Sequence, residues 1–290
     1  MLVFWVEGYF YNPSLFQKII SFLFLPLSWL YCFVMFIRFR FQKPQDFGIK
    51  IVSVGNLTVG GSGKTPLVTA LAKLHPKSAI ILRGYGRESS GMLVVKNYTN
   101  ILCDVKQSGD EAMIYAKKLP YSIVIVSEDR KIAIQKAKEL GCEIIFLDDA
   151  YSKHDIKKLD ILIHVKTQNN FCLPSGPYRE RLWKTKEAKI IKEGVDFTRE
   201  VQVKNPTSRM TLVTAIARPQ RLDAFLPPVI AKNYFADHHS FTKEELEIIL
   251  EKDGATSLLV TFKDYVKMEA FGLPLSLLDL EIQLMKNFAV

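Results

Sequence analysis

The chain has 290 residues, 48% of them hydrophobic and 24% charged, which is enough for one large or two ordinary domains with buried cores. This composition excludes a mostly disordered chain. The formal net charge of +9 favours a negatively charged partner, such as nucleic acid, a membrane surface or a phosphorylated substrate, without choosing among them. The four cysteines are far apart and form no C-x-x-C pair, so we expect reduced thiols in the cytosol rather than a disulfide framework.

An uncharged apolar run, IISFLFLPLSWLYCFVMFI, lies between Lys18 and Arg38. As a helix it is just long enough to cross a hydrocarbon core of about 30 Å. Pro26 is expected to bend this helix, so a shallowly inserted segment is an alternative to a spanning one. A soluble core helix is a further alternative, and a cleaved signal peptide is disfavoured because a basic stretch follows the run. Since basic residues beside a membrane helix tend to stay in the cytoplasm, Arg38, Arg40 and Lys43 predict a cytoplasmic location for the rest of the chain.

From Phe47 onward, short apolar runs alternate with helix-like segments, a pattern typical of an α/β domain with a largely parallel sheet. The predicted strands are GIKIVSVG, SAIILR, SIVIVS, EIIFLDD and DILIHV, and the predicted helices are KTPLVTALAKL, DEAMIYAKKL and EDRKIAIQKAKEL. Periodicity is lost from Asn170 to about Asp196, after which a second α/β run begins, with one of its helices near Arg218 to Phe225. We therefore predict an N-terminal membrane helix with its basic flank (1–43), a nucleotide-binding domain (44–199) and a smaller C-terminal α/β domain (200–290).

The stretch SVGNLTVGGSGKTP lies between the first predicted strand and its helix, where a phosphate-binding loop is expected. It departs from the pattern G-x-x-x-x-G-K-[ST] because the place of the first glycine is taken by threonine. The glycines allow backbone N–H groups to face phosphate oxygens, the lysine would reach the β- and γ-phosphates, and the last threonine would help to hold Mg²⁺. The predicted nucleotide-binding residues are Thr58, Val59, Gly60, Gly61, Ser62, Gly63, Lys64 and Thr65.

Acidic residues follow two of the predicted elements. Asp148 and Asp149 end the strand EIIFLDD, where an aspartate of a nucleotide-binding enzyme holds Mg²⁺; a helix cap or a solvated turn is the alternative. Asp110 and Glu111 begin a predicted helix, where capping and function are equally compatible with the spacing.

Three further motifs carry weaker signals. The segment DHH places two histidines beside Asp237, and a neighbouring carboxylate would orient one of them as a base. The segments RGYGR and GPYRE place arginines on glycine-containing loops, where a guanidinium suits phosphate oxygens but is more often only solvated.

Taken together, SVGNLTVGGSGKTP and the later segments RGYGR, GDE, LDD, LPSGPYRE, AIARPQR, FADHH and TFKD resemble, in order, the motifs of the tetraacyldisaccharide 4′-kinases. The resemblance spans the chain from the apolar helix to about Asp264. It implies a P-loop NTPase-like α/β/α core, a second α/β domain and a membrane helix. It also implies transfer of phosphate from ATP, with Mg²⁺, to the 4′-hydroxyl of a tetraacyldisaccharide 1-phosphate, forming lipid IVA at the cytoplasmic face of the bacterial inner membrane.

By this resemblance, Asp110 would accept the proton of the sugar hydroxyl, with His238 paired to it. Lys64, Thr65 and Asp148 or Asp149 would position MgATP, Arg179 would stabilise phosphate charge in the transition state, and Glu111 is a further metal candidate. Lipid A disaccharide precursor and membrane lipids are the implied partners.

The chain also departs from the family pattern. DDAYSKH replaces the expected D-D-G-F-Q-H, so Ala150 stands in place of glycine and His154 is displaced by one residue. TFKD has Phe262 where glutamate is usual, and we assign no function to that position.

The main alternative is a P-loop GTPase or ATPase of protein targeting or metallocentre assembly. Guanine recognition normally uses N-K-x-D, and the lysine of TFKD comes one place too late. Nucleic-acid binding is disfavoured, since the basic residues form no stripe studded with aromatic side chains. The sequence leaves oligomeric state and acyl-chain preference open.

Overall fold

Two sheets organise the chain. The computed structural model describes residues 2–216, 219–237 and 239–285, and within them the strands form a seven-stranded and a five-stranded sheet. Neighbouring strands are mostly parallel, so the predicted α/β fold class is confirmed.

The seven-stranded sheet has the order β3-β4-β2-β5-β1-β6-β7, with only β3 antiparallel to its neighbour among the described strands. Val54 of β1 lies opposite Asp148 of β5. Since parallel strands end at the same edge, the phosphate loop after β1 and the two aspartates at the end of β5 are brought together. The strands are β1 (Lys50–Gly55), β2 (Ser78–Leu82), β3 (Leu93–Lys96), β4 (Ile123–Val126), β5 (Ile144–Asp148), β6 (Leu159–Ile163) and β7 (Lys189–Ile191).

Helices cover both faces of this sheet because its strands alternate apolar side chains between them. Val52 and Val54 pack with α4 and α6, whereas Ile51 packs on the opposite face with α7. The helices are α4 (Lys64–Lys73), α5 (Val105–Ser108), α6 (Asp110–Lys118) and α7 (Arg130–Glu139).

The second sheet packs against α4 and α6, so these helices lie between the two sheets. Ile282 of β12 and Val266 of α9 belong to the same buried cluster as Leu67 of α4 and Tyr115 of α6. The segment predicted as a helix near 218–225 is a 3-10 helix over Pro219–Phe225, and Arg218 lies outside the described residues. The elements are β8 (Phe197–Lys204), β9 (Met210–Thr214), β10 (Ala231–Tyr234), α8 (Lys243–Asp253), β11 (Ser257–Thr261), α9 (Phe262–Met268), a 3-10 turn (Glu269–Phe271) and β12 (Leu275–Leu284).

Three helices precede the first sheet: α1 (Leu2–Tyr11), α2 (Leu15–Leu23) and α3 (Leu25–Phe41). Pro26 lies in the first turn of α3, where a missing N–H costs nothing, and α2 meets α3 at 60°. By length and composition, none of the described helices alone could cross a bilayer, whereas the bent α2–α3 pair meets those criteria together.

The α2–α3 pair turns its polar side inward. Ser21 and Ser28 are buried and donate hydrogen bonds to the carbonyls of Ser175 and Cys172, at 2.6 and 2.7 Å. Large apolar side chains point outward instead, Trp29 being 68% exposed and Phe22 69% exposed. This arrangement reverses that of a soluble surface helix, which buries its apolar face.

The prediction of reduced cysteines is wrong for one pair, because the structure joins Cys32 of α3 to Cys172 by a disulfide. The two residues are 140 positions apart in the sequence, so only the tertiary fold reveals their proximity. Cys103 and Cys142 are free.

Candidate active site

The phosphate loop begins as a short strand paired with the segment GPYRE. Val59 donates its N–H to the carbonyl of Pro177, and Arg179 donates its N–H to the carbonyl of Leu57, both at 2.9 Å. Thr58 forms an isolated antiparallel bridge with Tyr178 and is almost fully buried. Extended backbone accepts a β-branched residue readily, so this position does not require glycine.

The loop turns at Gly60 and Gly63, whose φ angles are 87° and 82°. Backbone of this kind favours glycine because a Cβ atom is strained there. Gly63 precedes Lys64, the first residue of α4, so the loop leads directly into the positive end of this helix. A glycine-rich loop followed by a helix N-terminus is suited to binding phosphate.

Lys64 and Arg179 converge on the same two acceptors. Their Nζ and Nη2 atoms each lie 3.2 Å from Oδ1 of Asn56, and both contact Asp149, Lys64 at 3.7 Å. Burial alone would raise the pKa of Asp149, but Lys64 and Arg179 outweigh it and lower the pKa below its usual value. Asp149 also has a φ of 49°, an uncommon conformation for a residue other than glycine.

Asp148 and Glu111, unlike Asp149, have pKa values above the usual range of a carboxyl group. Burial raises the pKa of Asp148, which accepts a 2.7 Å hydrogen bond from the Tyr115 hydroxyl. Burial, followed by the charge of Asp148, raises the pKa of Glu111 to about 7, although Lys263 and Lys64 oppose this shift. Perturbed carboxyl groups beside a phosphate loop are typical of catalytic and metal-binding sites.

These groups line a cavity of 650 Å³ at the carboxyl edge of the sheet. It extends from the phosphate loop to the end of α3, and its walls carry more cations than carboxylates. The charged lining residues are Arg38, Lys64, Arg83, Glu111, Glu128, Arg130, Asp148, Asp149, Lys153 and Arg179.

The oxygen donors of this cavity fit Mg²⁺. Asp148 Oδ1 is buried without a hydrogen-bond partner, and Mg²⁺ in kinases is held by one or two carboxylates together with substrate phosphates. Within the described ranges, no three His, Cys, Asp or Glu side chains form a ready-made cage for a metal. The predicted ligands Thr65, Asp148, Asp149 and Glu111 are therefore candidates for a site completed by the nucleotide.

The predicted base, Asp110, lies at the start of α6 and faces the five-stranded sheet's helices. Nζ of Lys267 on α9 is 3.8 Å from its carboxylate. Its predicted partner, His238, lies outside the described residues. The neighbouring His239 packs between two phenylalanines and contacts Glu245 at 2.9 Å, while Asp237 pairs with Lys263.

A family model described as tetraacyldisaccharide-1-P 4′-kinase (LpxK) matches residues 20–289. The chain belongs to this family. Similar proteins named tetraacyldisaccharide 4′-kinase include one from Aliarcobacter butzleri, 48% identical over 98% of this chain and 93% of its own. Another, from Helicobacter pylori, is 46% identical over 96% of this chain and 90% of its own. The crystal structure of LpxK from Aquifex aeolicus in complex with ATP is 26% identical, with a TM-score of 0.73, covering 92% of this chain and 96% of that one.

The predicted family and the predicted kinase activity in lipid A biosynthesis are thereby confirmed. The alternative of a targeting or metallocentre GTPase or ATPase has no support among these relatives.

The two motifs that depart from the LpxK pattern, DDAYSKH and TFKD, lie in different parts of the structure. His154 is buried against Phe39 and lies 3.9 Å from Glu180, away from the cavity, whereas Lys153 lines the cavity at the position before it. Phe262 lies in an apolar space of 320 Å³ between the sheets, where Lys118 Nζ is 4.4 Å from its ring centroid.

Sequence reasoning missed four residues that contact the site: Asn56, Tyr115, Arg130 and Lys267. Tyr115 could have been found, since it follows Glu111 by four residues and so shares its helix face. Asn56 lies within the conspicuous loop but outside its phosphate-binding pattern. Arg130 is buried, which lowers its pKa to about 10, and Lys267 comes from the distant α9.

Proposed function

We propose that this site transfers the γ-phosphoryl group of ATP to the 4′-hydroxyl of a tetraacyldisaccharide 1-phosphate with the residue roles that follow. The observation that carries the proposal is the single cavity that joins Lys64 and Asp149, at the phosphate loop, to Arg38, at the end of α3. ATP would bind at one end, and a phosphorylated lipid approaching along α3 would reach the other.

Lys64 and Arg179 are proposed to exchange Asn56 and Asp149 for nucleotide phosphates. Both cations already lie within 4 Å of a common acceptor, so little side-chain movement is needed to place them on the transferring group. Charge stabilisation by such groups is the largest contribution to catalysis of phosphoryl transfer. Mg²⁺, when bound, would neutralise further phosphate charge.

Thr65, Asp148, Asp149 and Glu111 are the proposed metal-binding residues. Asp110 is the proposed base that takes the proton of the sugar hydroxyl, with His238 as its partner. Lys267 reaches Asp110 from α9, a helix that packs on the second sheet, which supports placing the reaction between the proposed domains 44–199 and 200–290.

The decisive assay uses purified protein in detergent, γ-labelled ATP and the disaccharide 1-phosphate acceptor. Lys64→Ala should abolish labelling because the loop loses its phosphate contact, and Asp110→Ala should abolish labelling while ATP binding remains. Lys73→Ala is the matched control, since this lysine lies on the same helix but pairs with Glu281 at the surface. Wild-type protein that binds ATP yet never labels the 4′ position would contradict the proposal.

We also propose that the α2–α3 pair and its basic flank (within 1–43) bind the cytoplasmic face of the inner membrane. The outward apolar side chains and the basic flank after α3 support this, because anionic lipid attracts such a flank. Replacing Trp29 and Phe33 together by Asn should release the protein from anionic vesicles in a flotation assay. Ile248→Asn, at a 63% exposed position on α8, is the matched control and should leave flotation unchanged.

A further inference from the structure

Three carbonyls of the phosphate loop accept hydrogen bonds from side chains outside the seven-stranded sheet. Arg221, in the 3-10 helix after β9, donates to the carbonyl of Gly61 at 2.7 Å. Arg199 of β8 donates to the carbonyl of Ser62 at 3.2 Å, and the Tyr11 hydroxyl of α1 donates to the carbonyl of Val59. Each of three carbonyls in one short loop therefore accepts a hydrogen bond from a different side chain outside that sheet.

Carbonyl contacts of this kind decide where the neighbouring N–H groups point. In a trans peptide the C=O of one residue and the N–H of the next lie in one plane and point in opposite directions. The loop itself contains an example, because the Thr58 carbonyl accepts from Asn56 while the N–H of Val59 donates the opposite way, to Pro177.

We propose that Tyr11, Arg199 and Arg221 are positioning residues for nucleotide binding, which hold the N–H groups of Gly60, Ser62 and Gly63 towards phosphate. This inference rests on the proposed nucleotide site. A loop whose N–H groups are already oriented does not have to reorganise when an anion arrives, so binding is tighter.

The close approach of Arg199 depends on glycine. A Cβ atom built on Gly63 would lie 2.8 Å from Nη2 of Arg199, so any larger residue would displace the guanidinium. The φ of 82° at Gly63 adds strain to the same substitution.

Arg221 also links the loop to the N-terminal helices. Its Nη2 lies 3.7 Å from the carboxylate of Glu7, so α1 contributes to the loop both through Tyr11 and through this ion pair. Strand β8 with Arg199, the 3-10 helix with Arg221, and α1 with Tyr11 thus each hold one carbonyl of the same loop.

The test measures ADP affinity by calorimetry in the presence of Mg²⁺ and without lipid acceptor, so it is separate from phosphoryl transfer. Arg199→Met and Arg221→Met should each weaken ADP binding about tenfold, the effect expected for loss of one hydrogen bond from a charged donor. Tyr11→Phe should weaken it about threefold, as for a neutral hydrogen bond. Arg209→Met is the matched control, because Arg209 donates to the carbonyl of Gly254 at 2.7 Å, far from the loop in sequence and outside its contacts.

Two measurements distinguish positioning of the loop from a direct role of these side chains in catalysis or in ADP contact. Each variant's kcat at saturating ATP should stay within about twofold of wild type, since positioning acts on binding rather than on the chemical step. The loss of affinity should be the same at about 50 mM and about 0.5 M salt, because short hydrogen bonds are little screened. Unchanged ADP affinity in the arginine variants, or a loss that disappears at high salt and so marks a direct charge contact with ADP, would overturn the proposal. If an arginine variant does not fold, Tyr11→Phe serves as the test, since this substitution removes only one oxygen atom. An ADP affinity that is unchanged in Tyr11→Phe would then refute the proposal that these side chains position the loop.

Discussion

Replacing Glu111 by Gln should stabilise the nucleotide-free protein while destroying its activity. Glu111 is held beside Asp148, and burial followed by that neighbouring charge raises its pKa from 4.5 to about 7. An uncharged isostere of the same size removes the cost of keeping this carboxylate ionised. If Glu111 is a metal-binding residue, as proposed, the same substitution weakens MgATP binding.

The sign and size of the effect follow from the two pKa values. Because the folded protein holds the Glu111 proton more tightly than the unfolded chain, the wild type loses stability as pH rises from 4.5 to about 7. A shift of this size corresponds to about 3 kcal/mol, an upper figure because part of the side chain faces the solvent of the cavity. The variant should therefore equal the wild type near pH 4.5 and exceed its free energy of unfolding by up to about 3 kcal/mol above pH 8.

Urea unfolding without nucleotide, at about pH 5 and about pH 8.5, measures this difference directly. Glu251→Gln, at an exposed position of α8, is the control and should show no pH-dependent gain. A stability difference between Glu111→Gln and wild type that is the same at both pH values would refute the electrostatic argument.

Three further substitutions test other contacts of the site. Tyr115→Phe removes the 2.7 Å hydrogen bond to buried Asp148 and should raise the pKa of Asp148 further. The acid limb of the pH profile of kcat/KM should therefore move about one pH unit upward. An acid limb that does not move would contradict this role of Tyr115. Asn56→Ala removes the amide that donates to the Thr58 carbonyl at 2.8 Å, so the phosphate loop is held less firmly and the KM for ATP should rise about threefold. An unchanged KM would show that this contact is dispensable. Thr58→Gly restores the usual loop pattern, but it should lower the free energy of unfolding by about 1 kcal/mol because glycine is disfavoured in extended backbone. Thermal unfolding measures this loss. An improved ATP affinity in this variant would contradict the structural role of Thr58.

The sequence was most informative where local pattern and chain order determine the structure. The apolar strands around Val54 and Asp148 are parallel neighbours, so their ends meet without any further information. Two of the three loop glycines, Gly60 and Gly63, adopt the positive φ angles for which glycine is suited, whereas Gly61 does not.

The sequence was least informative where distant segments meet. Strand β8 (Phe197–Lys204) alternates polar and apolar residues and pairs antiparallel with β12, and nothing in its composition indicates that Arg199 reaches the phosphate loop. The same holds for α1, whose Tyr11 contacts Val59 from 48 residues away. Such contacts depend on the packing of whole elements, which a single sequence does not encode in any local pattern.

The hydrogen bonds of the inward-facing serines of α2 and α3 can form only after much of the chain has been synthesised. The partners of Ser21 and Ser28 are 154 and 144 residues further along the chain. At about 5–20 residues per second, roughly 7–30 s separate the appearance of these helices from that of their partners. The outward apolar faces are therefore complete before the inward serines can form their hydrogen bonds. If the α2–α3 pair binds lipid as proposed, it is able to do so before the rest of the enzyme has been synthesised.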